Sequence, residues 1–194
     1  MTWNRRALAP RPTLILGVLV LLAGDASALT FPVTKTADTV DGTCDADCSL
    51  REAIIAANAN GGPDVITLPA GTYNLAIAPG GESIVANNAA VGDLDISGEL
   101  TINGAAAATT IVDGQDLSRI FHIHAGPVTI NNLTARNGTE EAGGGIFIAA
   151  ITTVNLTNVV VTGFLPGSVS ALRTKSCVSI GAGWVPTPVI WKRT

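Results

Sequence analysis

The chain has 194 residues, a formal net charge of -4, and 47% hydrophobic, 4% aromatic and 13% charged residues. This length suits one domain plus a leader, the low charge excludes a disordered charged tail, and the lack of a basic stripe excludes nucleic acid as the main partner. Its 21 Gly and 10 Pro fit many short strands and turns better than a few long helices.

At the N-terminus, Arg5, Arg6 and Arg11 precede a ten-residue apolar run, Leu14 to Ala23, and the small-x-small site Ala26-Ser27-Ala28. The run is too short for a hydrocarbon core that needs about 20 residues. Basic start, short apolar stretch and A-x-A site predict a signal peptide over residues 1–28, removed on export. The remaining chain keeps 8 basic and 14 acidic residues and has no later stretch long enough for a transmembrane helix. It is expected to be secreted or held at the cell surface.

After an opening strand at Phe31–Thr36 comes the Asp-rich loop Asp41-Gly-Thr-Cys-Asp-Ala-Asp-Cys48. In an oxidising compartment, Cys44 and Cys48 are expected to form a disulfide that staples this loop. Asp38, Asp41, Asp45 and Asp47 offer carboxylates to calcium, but without the spacing and distal Glu of a helix-loop-helix calcium site. No other cofactor is expected.

Ser49 and Glu52 then form a capping box before the Ala-rich segment that Gly61-Gly62-Pro63 ends, which predicts a short helix over 49–60 covering one end of the fold. Arg51 and Glu52 are expected to serve capping and a surface pair. Asp64–Leu75 reads as two short strands joined at Pro69-Ala70-Gly71.

From residue 93 a rhythm sets in. Leu100-Thr-Ile-Asn-Gly, Val128-Thr-Ile-Asn-Asn and Val154-Asn-Leu-Thr-Asn superpose, with starts 28 and 26 residues apart. Short strands at such a period predict a stacked array. The expected fold class is all-β, a right-handed parallel β-helix (solenoid) with one short N-terminal capping α-helix. Asn131, Asn132, Asn137 and Asn158 fall at strand ends or turns, where stacking would align them into amide ladders.

Cys48-Ser-Leu-Arg-Glu-Ala53, with Asp41-Gly42 and Cys44 before it and Asn58 and Leu68-Pro-Ala-Gly-Thr-Tyr73 after it, resembles the CSLREA domain. That module stands at the N-terminus of exported bacterial proteins with right-handed parallel β-helix repeats. Gly92-Asp-Leu-Asp-Ile96, Val112-Asp-Gly114, Arg119-Ile-Phe121, Arg136-Asn-Gly138 and Gly143-Gly-Gly-Ile146 are similar to its first coils, so the resemblance covers residue 31 to about 163. It implies a cap module over 29–75, coils over 76–163, and an extracellular repeat protein with no transferable activity. Residues 164–194 diverge: they hold 4 basic and no acidic residues and two of the three Trp, as a shifted reading frame or a disordered tail would.

Two function classes remain. The first is a structural, adhesion or binding module whose partners are glycans or surface proteins. The second is a polysaccharide lyase or glycoside hydrolase, because parallel β-helices of the pectin lyase-like kind also house such enzymes. Cleavage needs a carboxylate pair or a calcium-assisted base. Asp93 and Asp95 share a strand face, with Asp116 and Arg119 about one period on, and form the best polar cluster the sequence offers. His122 and His124 also share a face, but the sequence supplies no third metal ligand, so neither a metal site nor a catalytic residue is assigned. A non-enzymatic role is favoured.

Overall fold

The computed structural model describes Met1 and residues 27–80, 87–140, 143–149, 152–163 and 178–180. Most of the expected leader and nearly all of the divergent tail lie outside the described residues. The elements in chain order are β1 (Thr30–Pro32), α1 (Leu50–Asn60), β2 (Asp64–Leu68), β3 (Gly71–Asn74), β4 (Leu94–Ile96), β5 (Leu100–Gly104), β6 (Thr110–Asp113), β7 (Phe121–Ile123), β8 (Val128–Arg136), β9 (Ile146–Ile148), β10 (Val154–Thr162) and β11 (Val178–Ile180).

The strands form two sheets in which every described pairing is parallel. One has eight strands, with the path β1-β2-β5-β8-β10-β11 and β3 and β6 alongside; the other is β4-β7-β9. The three superposable segments pair in register, Leu100 with Val128 and Val128 with Val154. The larger sheet turns a corner. β5 pairs with the first half of β8 and β6 with its second half, and β8 bends between them at Asn132. Asn132 has φ 56° and Asn158, its counterpart in β10, has φ 53°, a left-handed conformation that Asn tolerates far better than branched residues. Their side chains meet, Asn158 Nδ2 donating to Asn132 Oδ1 at 3.1 Å, and Asn131 donates likewise to Asn103 at 2.8 Å.

The expected all-β solenoid is corrected here. The structure is of mixed α/β content: one 11-residue helix together with parallel sheets of eight and three strands. The physical reason lies in the helix. Leu50, Ala53, Ile54 and Ala57 of α1 belong to the same apolar core as Ile66 of β2, Leu94 of β4, Ile102 of β5 and Ile130 of β8. Each fully buried Leu or Ile side chain contributes roughly 1.5–3 kcal/mol. The helix is thus a constituent of the core rather than a lid on an all-β stack.

Local chemistry sets the ends of α1. Ser49 accepts from the Glu52 backbone N–H, the Glu52 side chain accepts from the Ser49 N–H, and Gly61 closes the last turn at φ 70°. Cys44 and Cys48 form a disulfide just before the cap. At the other end of the described chain, Val178–Ile180 adds to β10, with Val154 opposite Val178, so part of the divergent tail joins the larger sheet. Among the described residues no helix is long and apolar enough to cross a membrane.

Candidate functional site: a buried carboxylate–imidazole cluster

The three-stranded sheet positions the site. Its strands carry matching triplets, Leu94-Asp95-Ile96, Phe121-His122-Ile123 and Ile146-Phe147-Ile148, aligned residue by residue. The outer residues of each triplet point into the apolar core. The central residues, Asp95, His122 and Phe147, therefore form one row on the opposite side. That side is covered as well, because Asp95 is 0% and His122 1% exposed.

Asp95 is the hub. Its Oδ1 lies 2.6 Å from His124 Nε2 and 3.1 Å from His122 Nδ1, and its Oδ2 accepts from the Asn88 N–H at 2.7 Å. Burial pushes this carboxyl up, but the bonds from His122, His124 and Asn88 outweigh it and hold the group below its ordinary value. The two imidazoles lie against each other with ring centroids 3.7 Å apart, and His122 also contacts the Phe147 ring at 5.1 Å.

Asp93 has the opposite electrostatics. It approaches Arg119 Nε to 2.6 Å, and Arg119 stacks over Phe147 at 4.9 Å from the ring centroid. Burial and the nearby charge of Asp95 nevertheless outweigh the attraction of Arg119 and His122, and the Asp93 carboxyl is pushed up to about 6. Asp93 Oδ1, Arg119 Nη1 and His122 Nε2 are buried with no hydrogen-bond partner.

The sequence-derived cluster is therefore assembled in part. Asp93, Asp95 and Arg119 come together, whereas Asp116 is exposed on a turn where its N–H bonds to Asn137 O. The cluster also takes in His122 and His124, which the sequence paired with each other but not with their third partner, Asp95. Asp95, His122 and His124 place their donor atoms within 4.8 Å of one another, the one group of three or more such donors with metal-binding spacing among the described residues.

The calcium expectation at the Asp-rich loop is not supported by its geometry. Asp38 is bound to Arg51 and to the N–H groups of Ala76 and Ile77, Asp41 to Thr43, Asp45 to the Asp47 N–H, and Asp47 to Lys35. The four carboxylates serve separate partners instead of converging on one point.

Arg51 and Glu52 need a second correction, since both are buried rather than a surface pair. Arg51 donates to both oxygens of Asp38 and to the carbonyl oxygens of Ala89, Gly92 and Asp93, fastening α1 to the segment that leads into β4. Glu52 accepts from Thr39 Oγ1 and from the Asp41 N–H. Asn58 completes the junction: its Nδ2 donates to Asp95 O at 2.8 Å, and its Oδ1 accepts from the Ser97 N–H at 2.9 Å. These are the two backbone groups flanking Ile96 that a neighbouring parallel strand would engage, so a side-chain amide occupies the edge of β4. Beside it, a cavity of about 230 Å³ is lined by Ile55, Asn58, Asn87, Asn88, Ala89, Ala90 and Ser97.

Comparison with protein-family models, curated proteins and solved structures finds no match to this chain.

Proposed function

We propose that the chain is an exported module of the cell surface or surroundings that binds glycans through the outer face of its larger sheet. The observation that carries this reading is a ladder of polar side chains. Thr67, Asn103, Asn131 and Thr157 stand opposite one another on β2, β5, β8 and β10, and Thr101, Thr129 and Asn155 form a second polar row two residues away, which the apolar Val65 ends on β2. All are partly or fully exposed, while the alternating residues between them are buried. Strands in a sheet repeat at about 4.8 Å, so hydroxyl and amide groups recur at even spacing along a surface without a charged side chain in either row. Each amide and hydroxyl both donates and accepts, which suits a hydroxyl-rich polymer. The Cys44–Cys48 disulfide agrees with an oxidising compartment, and the expected leader with export.

The test is retention of the purified chain on insoluble β-glucan, chitin and pectin. Retention that falls when Asn103 and Asn131 are both changed to Ala, with no sugar ends released, supports glycan binding. Release of reducing or unsaturated ends, abolished by Asp95→Asn, would move the protein to the polysaccharide-cleaving class. Passage through all three matrices would overturn the reading.

A further inference from the structure

We propose that Asp95, His122 and His124 bind a divalent first-row transition-metal ion, with zinc the best fit. Two imidazole nitrogens, His122 Nδ1 and His124 Nε2, converge on one carboxylate oxygen at 3.1 and 2.6 Å. Two His and one carboxylate make a donor set suited to zinc or iron(II), in which three protein ligands leave a position for water or a small ligand. Hard oxygen-seeking ions such as calcium need six or more oxygens, which this cluster does not have.

Three further observations support the assignment. The ligands sit on a rigid frame: Asp95 and His122 are opposite each other on paired strands, and His124 lies just beyond β7. Asp95 is also positioned from outside the set, since its second oxygen is held by the Asn88 N–H, as ligating carboxylates usually are. Local charge favours a cation as well. Asp93 is paired with Arg119, which leaves the Asp95 carboxylate and the two imidazoles to face the ion. His124, 15% exposed where its partners are sealed, provides the route of entry.

The test uses the full chain freed of metal with a chelator and titrated with Zn²⁺ and Co²⁺. One equivalent of metal per chain is expected, with visible Co²⁺ absorption bands typical of nitrogen and oxygen ligation and a raised melting temperature in Zn²⁺. Because replacing the sealed Asp95 or His122 endangers the fold, the deciding variant is His124→Gln. Its circular dichroism and metal-free melting should match the parent, while zinc affinity drops by roughly 10–100-fold or more. Competition by protons should weaken binding as the pH falls. A parent chain that takes up no stoichiometric zinc or cobalt, or a folded His124→Gln variant that binds as tightly as the parent, would overturn the proposal.

Discussion

Arg51 and Asp38 form a two-pronged ion pair beneath the surface, with Nε to Oδ1 at 2.6 Å and Nη2 to Oδ2 at 3.0 Å, and the Arg51 side chain is 0% exposed. Its remaining donors reach carbonyl oxygens at residues 89, 92 and 93. One side chain thus joins the helix, the loop before it and the segment leading into the strand that carries Asp95.

Removing one member of such a pair leaves an uncompensated charge in the interior. Asp38→Ala is expected to destabilise the chain by about 3–5 kcal/mol in denaturant unfolding. Arg51→Lys should be nearly as damaging, because an ammonium cannot reproduce the planar fork. An Arg51→Lys chain as stable as the parent would show that charge alone suffices.

The Cys44–Cys48 staple closes a loop with a sequence separation of only 4. A short loop restricts the unfolded chain little, so replacing both Cys with Ser should cost about 2 kcal/mol. Protease sensitivity should rise first between residues 38 and 48, which limited digestion followed by mass spectrometry would locate.

Glu52 makes stability depend on pH. Burial pushes its carboxyl up, but bonds from the Ser49 and Asp41 N–H groups and from the Ser49 and Thr39 side chains outweigh that and leave it below its ordinary value of 4.5. A carboxyl depressed on folding contributes stability that is fully present above the unfolded value and is lost as the pH falls through the folded one. The parent should therefore exceed Glu52→Gln in stability at neutral pH. Unfolding curves from pH 7 down to pH 2 should show that margin shrinking once the pH passes below 4.5.

Asn58→Ala would strip the amide from the edge of β4 and leave Asp95 O and the Ser97 N–H unpaired. The expected cost is about 1–3 kcal/mol for each group left unmade in the interior. The Ser97 amide proton should exchange faster with solvent in the variant; unchanged protection would show that water replaces the side chain at no cost.

Much of the framework was legible because it depends on local rules. The capping box at Ser49 and Glu52 follows from spacing alone, and the 28- and 26-residue recurrence of Leu100, Val128 and Val154 is the pairing register of β5, β8 and β10. The fold class was not legible, because nothing in the helix sequence shows that Leu50 and Ile54 enter the common core instead of lying over its end. The site was half legible. Asp93 and Asp95 were singled out as a pair and His122 and His124 as another, yet their union depends on the Leu94-Asp-Ile and Phe121-His-Ile triplets aligning at a 27-residue offset. Those apolar–polar–apolar triplets were the available signal, and a third triplet, Ile146-Phe-Ile148, repeats the apolar flanks with Phe147 at the centre. The burial of Arg51 had no comparable signal, since its four acceptor groups lie 38 to 42 residues downstream or 13 residues upstream.

The corner of the larger sheet is crossed by unequal lengths of chain at successive levels. Residues 69–70 join β2 to β3, residues 105–109 join β5 to β6, and a single Asn, at 132 or 158, does the same inside β8 and β10. Strand register on either side survives all of these lengths. Chain length is therefore free to vary at this corner while the flanking strands stay fixed. The segment Ala105–Thr109, mostly exposed and flanked by paired strands, is the natural place to graft a peptide for display without disturbing the frame.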